Sequence, residues 1–316
     1  MKSLKLLLGA LAFYGRFLPS FTAPGFRVRQ WFWPPFHPDF RGQRWIITGA
    51  STGIGRTLAL AAAQAGASVL AVARPSAALD GLVAEAKAAG GALEAAPCDL
   101  SSLAAVDRWL QERREAALPF DVLVNNAGVM LDSHHLTAEG HEVSFVTNLL
   151  SHYRLTEGLV AAGLLPVTAV VLNMTSGGAY HVPLSLAMLN VTDPAHYNGT
   201  YAYAFHKRAQ VVLSEYWRQR WAPGGRRSYV LHPGWVDTPG VRRSLPRFRA
   251  ALHAVLRDEA AGADTALWLA ATRPAQPAGE HLWFDRKPRT AHLSARTRGG
   301  PELGAALVQR LVAALS

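Results

Sequence analysis

A single cysteine, Cys98, is all that the 316 residues contain, so no disulfide can close within the chain. A secreted, disulfide-stapled scaffold is excluded, and a reducing compartment is the simpler setting. Charge is also sparse. Asp, Glu, Lys and Arg together make up 17% of residues, against 50% apolar. A chain of that composition can build a large core, which excludes global disorder. No uninterrupted apolar run reaches the roughly 20 residues needed to cross a bilayer. There is no zinc-finger spacing and no aromatic RNA-binding strand, so the net charge of +10 assigns no nucleic-acid partner. The chain has no fixed-period repeat, no low-complexity linker, no Gly-Lys-Ser/Thr phosphate loop and no assignable metal site.

What is present begins with an unusual N-terminus. Lys2 and Lys5 precede the run Leu6–Phe13, and Arg16 follows. Phe17, Phe21, Phe26, Trp31, Phe32, Trp33 and Phe36 then cluster among Arg27, Arg29 and several prolines. Residues 1–40 are therefore set apart as an extension. One reading is a helix and extended arm packed on the body of the protein. A second is an interfacial anchor with basic flanks, giving a cytoplasmic protein associated with a membrane. A cleaved export signal is a third, although no small-x-small cleavage site follows.

From residue 41 onward, short apolar runs alternate with helical stretches. Strands are expected at 44–48, 68–73, 92–96, 120–124, 167–173, 227–231 and 282–284. Helices are expected at 54–65, 77–89, 103–117 and, as one long element, 137–162. Such alternation implies right-handed crossovers. The expected fold is α/β: a Rossmann-like, doubly wound parallel sheet of about seven strands, helices on both faces, in a single domain over 41–316. Segments 179–200 and 241–257 carry prolines, apolar residues and, in the second, Arg242, Arg243, Arg247, Arg249 and Arg257. They are expected to form a substrate lid.

The first strand–helix turn reads Thr48-Gly49-Ala50-Ser51-Thr52-Gly53-Ile54-Gly55. Glycines there allow a sharp turn, close approach to a pyrophosphate and tight helix–sheet packing, while the helix N-terminus offers free N–H groups and positive dipole. Arg74 follows the second strand, where a carboxylate would hold the ribose 2′-hydroxyl of NAD. An arginine suits a 2′-phosphate, so NADP is the preferred cofactor, with NAD the alternative.

Tyr203 and Lys207 stand four apart, one helical turn, and Ser176 lies upstream. Tyr201 has no lysine four positions on, which selects Tyr203. Taken with Asn125-Asn126-Ala127-Gly128, Asn148 and His232-Pro233-Gly234, these motifs occur in an order that resembles the short-chain dehydrogenase/reductase family. The resemblance extends over about residues 40–290. A narrower set, Met174–Gly178, His232–Arg242, Gly262–Thr265 and Asp285–Pro288, resembles one branch of that family. The resemblance implies a catalytic set of Asn148, Ser176, Tyr203 and Lys207. It implies cofactor contacts from Thr48, Gly49, Ser51, Thr52, Gly53, Ile54, Gly55, Arg74, Asp99, Leu100, Asn125, Ala127, Gly128, Pro233, Gly234 and Thr238, with Tyr203 and Lys207. His206 stands where many members carry a small polar residue, and the interval from Ser176 to Tyr203 is long.

The chemistry expected of that set is proton transfer beside a hydride. A free phenol ionises near pH 10, and a lysine one turn away, together with the charge of the oxidised nicotinamide, favours the phenolate. Tyr203 would then act as acid or base, Ser176 would hold the substrate oxygen, and Asn148 would fix a water linking Lys207 to solvent. The expectation is an oxidoreductase interconverting an alcohol and a carbonyl of a small lipophilic substrate, with a homodimer as the candidate assembly. The alternative is a dinucleotide-binding sensor or scaffold without turnover.

Overall fold

In a computed structural model, residues 15, 17–300 and 302–316 are described. Lys2, Lys5, the run Leu6–Phe13 and Arg16 lie outside them. Eight strands form one sheet: β1 (Arg44–Thr48), β2 (Ser68–Ala73), β3 (Ala92–Pro97), β4 (Val122–Asn125), β5 (Val170–Met174), β6 (Arg227–Leu231), β7 (His281–Phe284) and β8 (Lys287–Thr290). Their order is β3-β2-β1-β4-β5-β6-β7-β8, and seven run parallel. The eighth, not expected from the sequence, returns antiparallel on β7. Its two-residue turn is Asp285-Arg286, at φ 49° and 59°. Such a turn normally takes Asn or Gly. Here ion pairs hold both residues, Asp285 to Arg257 and Arg286 to Asp264.

Strand alternation sorts the core. Ile46 faces one layer while Trp45 and Ile47 face the other. Against the first layer pack α4 (Leu103–Ala116), α5 (Ser151–Ala161), α6 (Gly199–Trp221) and α10 (Glu302–Ala313). Against the second pack α2 (Gly53–Gln64), α3 (Ala77–Ala88) and α9 (Glu259–Thr272). Helix α10 was not expected, although Leu303, Leu307 and Leu311 give it an apolar stripe at four-residue spacing; Leu307 and Leu311 are fully buried.

The long helix expected over 137–162 starts later. Gly140 at φ 80° breaks the segment, and Thr137 N donates to His141 O across a turn. Glu142 then accepts from Ser144 N and Phe145 N and starts a single turn, Val143–Phe145. A π-helical stretch, Val146–Leu150, leads into α5.

The N-terminal arm is built into the body. Phe17 and Phe21 join Tyr180, Val230, Leu282 and Phe284 in a third apolar cluster. Helix α1 (Ala23–Gln30) follows, and Arg29 Nε donates to Asp285 Oδ2 at 2.6 Å. Trp235 N and Arg257 Nε both donate to Phe21 O, each at 2.9 Å. Arg257 is 1% exposed, so it is not the solvated lid arginine that its neighbours in sequence suggest. Among the described residues, no helix is long and apolar enough to cross a membrane.

Candidate active site

The sheet order reverses between β1 and β4, and the crevice beyond the carboxyl ends of such strands is where ligands bind in open α/β sheets. Thr48 ends β1. Its hydroxyl donates to Val124 O at 3.1 Å and accepts from Asn126 N and Ala127 N at 2.9 and 3.0 Å. Asn126 Nδ2 donates back to Thr48 O at 2.9 Å. The glycine loop and the turn after β4 are thus one rigid rim. A Cβ on Gly49 would meet Ala127 Cα at 2.8 Å, and one on Gly55 would meet Gly49 O at 2.2 Å. Only glycine allows that closeness.

Thr52 precedes α2 without capping it, and the first turn holds no acid. Its free N–H groups suit a pyrophosphate beside Ser51, Gly53 and Ile54. Thr238 comes down onto this loop: its Cγ2 lies 3.7 Å from where a Gly53 Cβ would be. Arg74 is exposed just past β2 and has no partner among the described residues. Asp99 instead ties its own turn, accepting from Ser101 N and Oγ at 2.9 and 2.8 Å. Leu100 is buried, and its carbonyl takes Ser151 Oγ at 2.6 Å. The Asn125 side chain is buried and committed elsewhere, donating to Thr156 Oγ1 and Asn173 Oδ1 at 3.1 and 3.0 Å. The fit to a dinucleotide therefore rests on the glycine rim, the uncapped helix and the free arginine.

Four side chains converge beyond this rim. Tyr203 and Lys207 project from one face of α6, with Lys207 Nζ 5.4 Å from the centre of the Tyr203 ring. Ser176 follows β5, and its hydroxyl is near enough to the Tyr203 phenol to act on its ionisation. Thr175 is the decoy beside it: buried, it donates to Lys207 O at 2.8 Å. A Cβ on Gly128 would stand 3.5 Å from both Asn148 Oδ1 and Lys207 Nζ, so Gly128 leaves this junction open.

Burial governs the electrostatics. It pushes the Tyr203 phenol upward, and the Ser176 hydroxyl acts the other way. It brings the Lys207 ammonium down to about 7, where Nζ donates to Met174 O at 2.7 Å. The expected phenolate, favoured by lysine, is thus not the state of this protein alone. At neutral pH the phenol keeps its proton, because losing it would leave a poorly solvated anion beside a lysine that is only about half charged.

Asn148 sits in the π-helical stretch, a frequent feature of functional sites. Its side chain grips Val129 from both ends: Oδ1 accepts from Val129 N at 2.7 Å and Nδ2 donates to Val129 O at 2.8 Å. Two partners were not foreseen from the sequence. Gln210 Nε2 donates to Asn148 O at 2.7 Å, and His206 Nδ1 lies 3.3 Å from Asn148 Nδ2, with its Nε2 bonded to Leu189 O. Gln210 lies three residues past Lys207, on the inward side of α6, and that spacing was its only signal. Asn126, omitted from the expected contacts, ties the rim together.

Gly234 N donates to His232 Nδ1 at 2.7 Å, which shapes the Pro233-Gly234 turn. Helices α7 (Pro239–Ser244) and α8 (Pro246–Leu252) follow it. Ser244 Oγ donates to Met130 O at 2.9 Å, and Arg249 Nε to Asp237 Oδ1 at 2.8 Å, latching this segment over the crevice. The 179–200 segment is partly core instead, with Tyr180, Val182 and Leu189 buried. A cavity of about 260 Å³ is lined by Met188, Val191, Tyr201 and Phe205. It opens on the face of α6 turned away from Tyr203, so it says nothing about substrate.

A family model described as short chain dehydrogenase matches residues 43–247. Dehydrogenase/reductase SDR family member 12 of Bos taurus is 37% identical over 311 residues, 94% of each chain. Polyprenol dehydrogenase of Homo sapiens is 27% identical over 85% of this chain and 84% of the relative. The solved structure of a short-chain dehydrogenase from Sphingobium yanoikuyae in complex with NADPH superposes with a TM-score of 0.57. It is 25% identical and covers 72% of this chain and 84% of the other.

Proposed function

The chain belongs to the short-chain dehydrogenase family, and from that premise we propose that it interconverts the alcohol and carbonyl of a lipophilic substrate with NADP as preferred cofactor. The observation that carries this reading is the meeting of Ser176, Tyr203 and Lys207 beside an open glycine rim. When bound, the nicotinamide supplies or accepts the hydride. The chain's own residues manage the proton. Tyr203, protonated at neutral pH, donates to the substrate oxygen in the reducing direction. Ser176 hydrogen-bonds the same oxygen and keeps it in line with the phenol. Lys207, with a pKa near 7, can both give and take a proton at working pH and so restores the phenol. Asn148, fixed by Val129 and Gln210, keeps the wall beside Lys207 in register.

Support for NADP comes from Arg74, free and positively charged at the end of β2. Support for a lipophilic substrate comes from the apolar residues Met130, Leu245, Phe248 and Leu252 around the latch, and from the similarity to a polyprenol dehydrogenase.

Tyr203→Phe tests the assignment. Turnover of carbonyl substrates should fall by about 10²–10⁴-fold, the range typical of a lost general acid. NADPH binding, followed by fluorescence titration, should stay within a factor of about two, since the ring and every other expected cofactor contact remain. Retained turnover would remove Tyr203 as proton donor. Cofactor binding by the native protein without turnover on any alcohol or carbonyl would favour a sensor.

A further inference from the structure

Helix α1 wears its faces the wrong way round for a protein surface. Its inner side carries Phe26, 7% exposed, and Arg29, which reaches Asp285. Its outer side, continuing into the turn that ends it, carries Arg27, Val28, Trp31 and Phe32 at the three- and four-residue spacing of one helical face. Val28 is 48% exposed, Trp31 78% and Phe32 81%. Surface helices normally turn charged residues outward. An indole and a phenyl side by side in water need an explanation.

The surroundings point to the partner. Arg286 lies over the rings of Trp33 and Phe36, at 4.3 and 4.7 Å, so the β7–β8 hairpin stands beside this aromatic segment. Strand β8 is exposed along its whole length and presents Lys287 and Arg289. Neither forms an ion pair among the described residues, nor does Arg27. The segment that bears the exposed rings and the hairpin beside it thus carry three cations without ion pairs.

We propose that this face is a peripheral docking surface for an anionic lipid bilayer. Trp31 and Phe32 enter the boundary between headgroups and acyl chains, while Arg27, Lys287 and Arg289 meet lipid phosphates and carboxylates. Aromatic rings beside cations are the composition such interfaces select. A second copy of the chain fits less well: an isologous contact would set cation against cation, and Pro288 with Lys287 blocks strand addition at β8. The sequence upstream, with Lys2, Lys5 and Leu6–Phe13, has the same mixed character. The inference does not depend on the catalytic reading.

The test is co-sedimentation of the full chain with phosphatidylcholine vesicles, with and without phosphatidylserine. Binding is expected only where phosphatidylserine is present, and it should weaken with added salt. The double variant Trp31→Ser/Phe32→Ser should lower the partition coefficient by about tenfold or more. Lys287→Glu/Arg289→Glu should reduce it to the phosphatidylcholine level. Thermal midpoint should be unchanged in both variants, because all four side chains are exposed. No binding to anionic vesicles, or equal binding by Trp31→Ser/Phe32→Ser, overturns the proposal. So does a native oligomer that this variant dissolves while its vesicle partition stays the same, since the face would then belong to a second copy.

Discussion

Lys207 carries a positive charge into a site where burial opposes it, and that tension has a measurable sign. The ammonium titrates near 7 in the fold and near its ordinary value of 10.5 in the unfolded chain. Below about pH 7 both states are protonated and the penalty is fully present. Between about 7 and 10.5 the unfolded chain binds the extra proton, so stability rises with pH and the penalty fades. Lys207→Met should therefore raise the thermal midpoint at pH 6–7 while abolishing turnover. The gain should shrink as pH climbs toward 10.5; a lower midpoint at neutral pH would contradict the account. Arg74 gives a second prediction at this scale. It is exposed and unpartnered, so Arg74→Asp should leave stability unaltered and move the ratio of kcat/KM values from NADPH toward NADH by about tenfold or more, the scale of one charge-assisted phosphate contact. An unmoved ratio would take Arg74 out of cofactor choice.

Among the elements, the N-terminal arm is the one whose role changes most once its neighbours are known. Phe21 is 3% exposed and stacks on Phe17 at 4.4 Å, with His232 at 4.5 Å and Phe284 at 5.0 Å. Its carbonyl takes hydrogen bonds from Trp235, which follows the turn after β6, and from Arg257, which packs against Gly234 in that turn. An arm that served only as a tether could be removed without touching catalysis. This one supports the loop bearing Pro233, Gly234 and Thr238. Phe21→Ala should cost about 3–5 kcal/mol in denaturant unfolding, the range for a buried phenylalanine. It should also raise KM for NADPH, because the loop loses its backing. A loss below about 1 kcal/mol would mean that the arm rests on the domain without stabilising it. The π-helical stretch is the other telling element: one turn of altered pitch lets Asn148 meet Val129 while its carbonyl meets Gln210.

The whole molecule keeps several histidines buried and uncharged. Burial brings His152 and His232 down to about 3 and His206 to about 4. In the unfolded chain each takes a proton near 6.5. As pH falls from 6.5 toward 4 the unfolded state thus binds more protons, and each histidine removes about 1.4 kcal/mol of stability per pH unit. Urea midpoints should drop steeply between pH 6.5 and 5, before most carboxylates titrate. A flat profile over that interval would show that the three rings are hydrated in solution.

Local spacing and chain stereochemistry were enough for the alternation of strands and helices, the glycine rim and the order of Ser176, Tyr203 and Lys207. Periodicity of two and near four is written in neighbouring residues. Other features depended on contacts between segments far apart in the chain. β8 exists because Asp285 and Arg286 are held at positive φ by Arg257 and Asp264, contacts that no local pattern announces. The expected helix over 137–162 began late because one glycine turned the chain. Asn125, expected at the cofactor, points its amide at Asn173 and Thr156, a choice made by the neighbouring strand. The protonation of Tyr203 and Lys207 was decided by desolvation, a property of every atom packed around them, while the spacing of the pair fixed only that they would meet.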